Sequence, residues 1–186
     1  KAAGMLRELE FVIKFLKKKN SEYKIEEILR FYSEIMGIYK IYHSNITKIY
    51  EVDEFQEYTY VVVEYVNGIT IQEYLDKGNK FTYEEILMIM TKICTGLEVA
   101  HRNGAIHKNL NLQNILLSLE DGKITGVKIT NFGFSEILDS YARTSDINNF
   151  YGFLPPEYCE FCDIKMDERS DLFSLGAIFY RLLTGA

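Results

Sequence analysis

Between Lys24 and Ile41, apolar residues recur at Ile25, Ile28, Leu29, Tyr32, Ile35, Met36 and Tyr39, the three-four spacing that predicts one amphipathic helix. Glu34 and Ile38 fall on a different face of it. Gly37 weakens such a helix by roughly 1 kcal/mol relative to Ala, so tertiary packing has to hold it. Upstream, Glu10 to Leu16 is a short apolar run rich in strand formers, closed by Lys17-Lys18-Lys19 and Asn20-Ser21. Downstream, Thr47 to Val52 and Tyr58 to Tyr65 read as two strands joined by the acidic turn Asp53-Glu54-Phe55-Gln56-Glu57. The first part of the chain is therefore expected to be a small sheet with one helix.

The pattern changes near Asn67-Gly68. Thr82 to Gly104 places Ile86, Ile89, Met90, Ile93, Leu97 and Ala100 on one helical face, with Gly104 suited to the C-terminus. Ile115 to Leu117 and Val127 to Thr130 flank Asp121-Gly122, a turn signal that predicts a hairpin. From about Asp171 the chain is apolar almost all round a helix, through Leu172, Leu175, Ala177, Ile178, Phe179, Leu182 and Leu183, which predicts burial.

With 186 residues, 47% apolar and 26% charged, the chain can bury a substantial core. A net charge of −6 and a single short basic run speak against a nucleic-acid surface. The longest apolar stretches fall well short of a bilayer span, so membrane insertion is not expected. Three cysteines suggest a reducing compartment, and the lone pair Cys159 and Cys162, with no nearby His, argues against structural zinc. The expectation is an intracellular, cytoplasmic domain, cut from a longer chain since it begins at Lys1.

The segment from His107 to Asn114 reads His-Lys-Asn-Leu-Asn-Leu-Gln-Asn, and Asn131-Phe132-Gly133 follows. Val12-Ile13-Lys14 lies upstream, and Leu154-Pro155-Pro156-Glu157 and Ser170-Asp171-Leu172-Phe173-Ser174-Leu175-Gly176 lie downstream. In this order the motifs resemble those of eukaryotic protein kinases, whose patterns are His-Arg-Asp-Leu-Lys-Pro-x-Asn, Asp-Phe-Gly and Ala-Pro-Glu. The resemblance implies an α+β, bilobal fold. Residues 1–66 would form a partial N-lobe without its Gly-rich loop, and residues 67–186 a mainly helical C-lobe ending at the central helix.

By the same resemblance, Lys14 is the nucleotide-gripping lysine and Glu34 its carboxylate partner. Val12 and Leu116 would sandwich adenine, Val63 is the gatekeeper, and the backbone from Glu64 to Val66 would meet the adenine edge. Ile38, Ile49, His107 and Phe132 would stack as a hydrophobic spine. Asn109 and Asn111 stand at the catalytic aspartate and lysine, and Asn114 and Asn131 at the metal ligands. A neutral amide cannot act as a general base, a role worth about 10²–10⁴ in rate, and it binds Mg²⁺ poorly. Lys108 replaces the family's arginine, and Tyr141, Thr144 and Ser145 fall in the activation segment.

The implied function is a pseudokinase: a scaffold or allosteric regulator with protein partners such as an active kinase, able to hold ATP but with Mg²⁺ weak or absent. The alternative is a weak or unconventional Ser/Thr kinase using Lys14, Glu34 and Asn114. A nucleotide-sensing module that binds ATP without magnesium and a fragment with no function of its own are the remaining readings.

Overall fold

The computed structural model describes residues 10–17, 25–56, 58–133, 151–158 and 165–185. Strand β1 (Phe11–Lys17) pairs antiparallel with β3 (Tyr58–Glu64), which is flanked on its other side by β2 (Ile49–Phe55). Their two-residue period separates the faces of the sheet. Thr59, Val61 and Val63 are buried, and Val12 packs against that core, whereas Phe11, Ile13 and Phe15 project outward. Edge-on ring contacts from Phe11 to Tyr50 and from Phe15 to Tyr58, with centroids 5.4 and 6.1 Å apart, partly cover this outer face.

Helix α1 (Ile25–Tyr39) buries Ile35 and Ile38 and leaves Met36 and Tyr39 exposed. Tyr32 and Ile35 of the expected stripe meet the core and are joined there by Ile38 from the neighbouring face. The acidic turn also proves shorter than expected. Asp53, Glu54 and Phe55 belong to the ladder opposite Tyr60, Thr59 and Tyr58, and Gln56 takes the left-handed φ of 54°. Tyr32 donates to Glu54 at 2.9 Å and Tyr60 to Glu51 at 2.8 Å, which lets carboxylates sit along an exposed strand.

After Asn67, the two-residue strand β4 (Ile69–Thr70) leads into a short helix, α2 (Ile71–Asp76), neither of which the periodic pattern predicts. Thr70 and Glu73 form a reciprocal capping box that starts this helix. Gly68 is required by a close approach, since a Cβ there would lie 2.2 Å from the Leu117 carbonyl oxygen. Helix α3 (Tyr83–Arg102) begins with a second box, Thr82 with Glu85, and buries Ile86, Ile89, Ile93, Gly96, Leu97 and Ala100. Gly104 follows it in the left-handed region, at φ 74°.

Strands β5 (Ile115–Glu120) and β6 (Lys123–Ile129) form the expected hairpin, with positive φ at both Asp121 and Gly122, as a two-residue primed turn requires. With β4 they make a second sheet, of order β4-β5-β6. The sheets are tied by a parallel bridge between Ile46 and Ile129, and by Asn45, whose side chain donates to the Val127 carbonyl at 2.8 Å.

Helix α4 (Glu168–Thr184) starts three residues before the expected Asp171, because Asp167 and Ser170 form its capping box. It is not buried all round. Ser170, Asp171, Ser174, Leu175, Ile178 and Leu182 face inward, whereas Leu172, Phe173, Tyr180 and Leu183 are exposed. The inward positions are partly polar because they hold loops: Ser174 donates to the Phe153 carbonyl at 2.7 Å, and Ser170 to the Glu157 carboxylate. Among the described residues, no helix is long and apolar enough to cross a membrane.

Candidate functional site

The loop from Ala105 to Asn111 is organised by one buried carboxylate. Asp171, with no exposed surface, lies in the first turn of α4, where the helix dipole favours an anion. Its Oδ2 accepts the His107 N–H and its Oδ1 the Lys108 N–H, both at 2.8 Å, and His101 Nε2 lies 2.7 Å from Oδ2. These contacts hold Lys108 at a φ of 64°, a conformation a non-glycine residue adopts only under tertiary constraint. His107, also fully buried, lies 2.9 Å from the Thr130 carbonyl through Nε2 and accepts the Asn109 N–H on Nδ1 at 3.3 Å. These partners assign the neutral tautomer protonated at Nε2, and burial holds its pKa below the usual histidine value. Its ring meets Phe132 at 4.6 Å between centroids, and Ile38 and Ile49 are buried in the same core.

The four asparagines come together as hydrogen-bonded amides. Asn114 Nδ2 donates to the Asn109 carbonyl at 2.8 Å. Asn111 is 2% exposed; its Nδ2 donates to both the Asn109 carbonyl and side-chain oxygen, and its Oδ1 caps the 3-10 turn Leu112–Asn114 by accepting the Gln113 N–H at 2.9 Å. Asn111 is therefore a structural element of the loop, not a group reaching toward a substrate. Asn131, at φ 69°, donates through Nδ2 to Asn114 Oδ1 at 2.6 Å, while its Oδ1 accepts from Lys14 Nζ. Asn tolerates this left-handed backbone better than most residues.

The expected Lys14–Glu34 ion pair is replaced by a different pairing. Glu34 reaches the Lys108 ammonium across the site, and Lys14 turns to Asn131. On the loop side, Lys108, fixed by Asp171 at a positive φ, brings a full positive charge to Glu34. Lys14 is largely desolvated, and burial lowers its pKa to about 8.

At the other end, Val12 and Val63 are direct cross-strand partners, while Leu116 lies in the second sheet opposite Thr70 and Lys128. Glu64 is tied down by an unanticipated clamp. Its carboxylate accepts from Lys128 at 3.0 Å and from the Lys48 N–H at 3.1 Å, and its own N–H donates to the Lys48 carbonyl at 2.8 Å. No local pattern signals a contact between residues 64 positions apart. Val66, partly buried, lies just beyond the end of the ladder. Tyr141, Thr144, Ser145, Cys159 and Cys162 lie outside the described residues.

The protein kinase family implies Mg²⁺ with ATP, and the donor set fits the cation poorly. Mg²⁺ seeks hard, preferably anionic oxygens in octahedral array. The two side-chain oxygens available at its expected ligands are neutral, and each already accepts a hydrogen bond, one of them from a lysine ammonium. Among the described residues, no group of three or more His, Cys, Asp or Glu side chains is placed to hold a metal. The apolar residues Val12, Val63 and Leu116 and the lysine Lys14 are, by contrast, of the types a nucleotide site uses.

A two-lobed arrangement in which an aspartate of the central helix fixes a histidine-led loop defines the protein kinase fold. The comparisons give the same class: the protein kinase domain family model matches residues 2–186, so the chain belongs to the protein kinase family. It is 32% identical over 161 residues to the probable serine/threonine-protein kinase PknB of Lactococcus lactis, covering 85% of this chain and 25% of that protein. It is 31% identical over 162 residues to the serine/threonine-protein kinase PrkC of Bacillus subtilis, covering 86% of this chain and 24% of that protein. The chain therefore spans about a quarter of these relatives' length. The crystal structure of the Mycobacterium tuberculosis PknI kinase domain matches with a TM-score of 0.71 at 24% identity, over 95% of this chain and 64% of that one, a likeness of fold.

Proposed function

We propose that this is a pseudokinase domain: a protein-kinase fold, able to hold a nucleotide, that regulates a protein partner through its surfaces, with phosphoryl transfer lost or severely impaired. The observation that carries this reading is the closed amide chain Lys14–Asn131–Asn114–Asn109, in which the expected metal ligands bond one another and the lysine. Asn109 cannot take the nucleophile's proton, which alone removes a factor of about 10²–10⁴. Asn111 is a neutral amide turned into the loop, so it supplies neither charge nor a hydrogen bond to a transferring phosphoryl group. Conservation of shape accompanies this loss of charge, since Asp171, His107 and Phe132 keep the loop in order.

The test is transfer of labelled phosphate from ATP to protein substrates by the full-length protein in Mg²⁺ or Mn²⁺. Background rates are expected; robust Mg²⁺-dependent transfer that disappears in Lys14→Ala would overturn the reading. That outcome would establish the second reading, a weak Ser/Thr-type kinase. It is favoured by the ordered loop, by Lys14 and Asn114 at the family's positions, and by the names of the relatives.

A further inference from the structure

We propose that the cluster formed by Lys14, Asn114 and Asn131 binds a nucleotide polyphosphate in its metal-free form, with the Asn131 amide donating directly to a phosphate oxygen that Lys14 neutralises. This rests on the protein-kinase-like reading of the site and assigns it a charge preference opposite to that of a magnesium-dependent enzyme.

Two observations converge on it. First, two negative charges are missing from the site. Carboxylates at positions 109 and 131 would repel a bare polyphosphate and so demand a divalent cation between them; both positions are amides here. The nearby carboxylate of Glu34 is engaged by Lys108, so its repulsion of an anion is largely offset.

Second, an amide can turn. Asn131 now presents its oxygen to Lys14 and its NH₂ to Asn114 Oδ1. When a phosphate oxygen takes the place of Asn131 Oδ1 on Lys14, rotation of the same side chain offers an N–H donor to that phosphate. A carboxylate, acceptor only, has no such second role. Hydrogen bonds to an anion are also stronger than the neutral amide–amide bonds they replace.

The experiment is equilibrium binding of ATP to the full-length protein by calorimetry or fluorescence, in chelator and in excess Mg²⁺, with phosphate transfer assayed on the same samples. We expect binding in chelator at least as tight as in Mg²⁺. Lys14→Met should weaken it roughly tenfold or more. Asn131→Asp, nearly identical in shape, should weaken metal-free binding by a similar factor and make the remainder Mg²⁺-dependent. Two variants guard against a folding defect in one, checked by circular dichroism. Binding that requires Mg²⁺ but gives no transfer would overturn this inference and leave the pseudokinase reading standing; absence of ATP binding by folded protein would overturn this inference and the nucleotide-holding part of that reading. Mg²⁺-dependent binding accompanied by transfer would overturn both. Unchanged metal-free binding in Asn131→Asp would also defeat the inference.

Discussion

Replacing Asp171 by alanine should unlock the loop that defines the site, and its size can be worked from the contacts. The carboxylate accepts the N–H groups of His107 and Lys108 at 2.8 Å each, and meets His101 at 2.7 Å. Neither carboxylate oxygen is solvated, because the residue is wholly buried. Leaving a buried N–H without an acceptor costs about 1–3 kcal/mol, so two of them give about 2–6 kcal/mol before the lost contact with His101 is counted. An effect near 4 kcal/mol is a large fraction of the 5–15 kcal/mol by which domains are typically stable. Asp171→Asn keeps the volume and one acceptor but points an NH₂ at the second N–H, so an intermediate loss is expected. Urea unfolding of the full-length protein, with amide exchange at residues 107 and 108 as the local readout, measures both. A loss below about 1 kcal/mol in Asp171→Ala, with those amides still protected, would refute the argument that this carboxylate organises the loop.

His107 is kept neutral by burial, so the unfolded chain binds a proton that the folded one refuses. Its contribution to stability is therefore present above the ordinary histidine pKa of 6.5 and lost as pH falls below it, and His107→Phe should flatten that part of the pH profile measured by urea midpoints; an unchanged slope would count against it. Gly68→Ala should destabilise by about 1–3 kcal/mol, because the added carbon would lie 2.2 Å from the Leu117 carbonyl oxygen; a midpoint equal to wild type would show that the two strands separate easily there.

What could be read from the sequence was local. Helix α3 is announced by Thr82 and Glu85 at its start and Gly104 after its end, and the β5–β6 hairpin by Asp121-Gly122, because caps and tight turns depend on side chains a few residues apart. Helix α2 carries an equally local signal in Thr70-Ile71-Gln72-Glu73, but its six residues are too few to establish a period. On α1 the three-four spacing identifies Ile35 and Tyr32 as core-facing, but neighbouring stripes are both apolar, and only the packing of the rest of the chain selects Ile38 over Met36 and Tyr39. At the site, the residue types were visible and their partners were not. Glu34 has two lysines to choose between, and Lys108 is brought to it by a loop that Asp171, 63 residues further on, holds in place.

Asn111 carries a consequence for any attempt to rebuild a working kinase from this chain. Its side chain caps the turn before β5 and bonds to Asn109, so it has become part of the loop's frame. A lysine placed there restores a cation but has no acceptor for the Gln113 N–H. Reversion at that position alone would therefore weaken the platform on which the cation must stand. The change behaves like a ratchet: recovery of function would have to begin with substitutions that give the loop a new cap, and only afterwards exchange the amide for a charge.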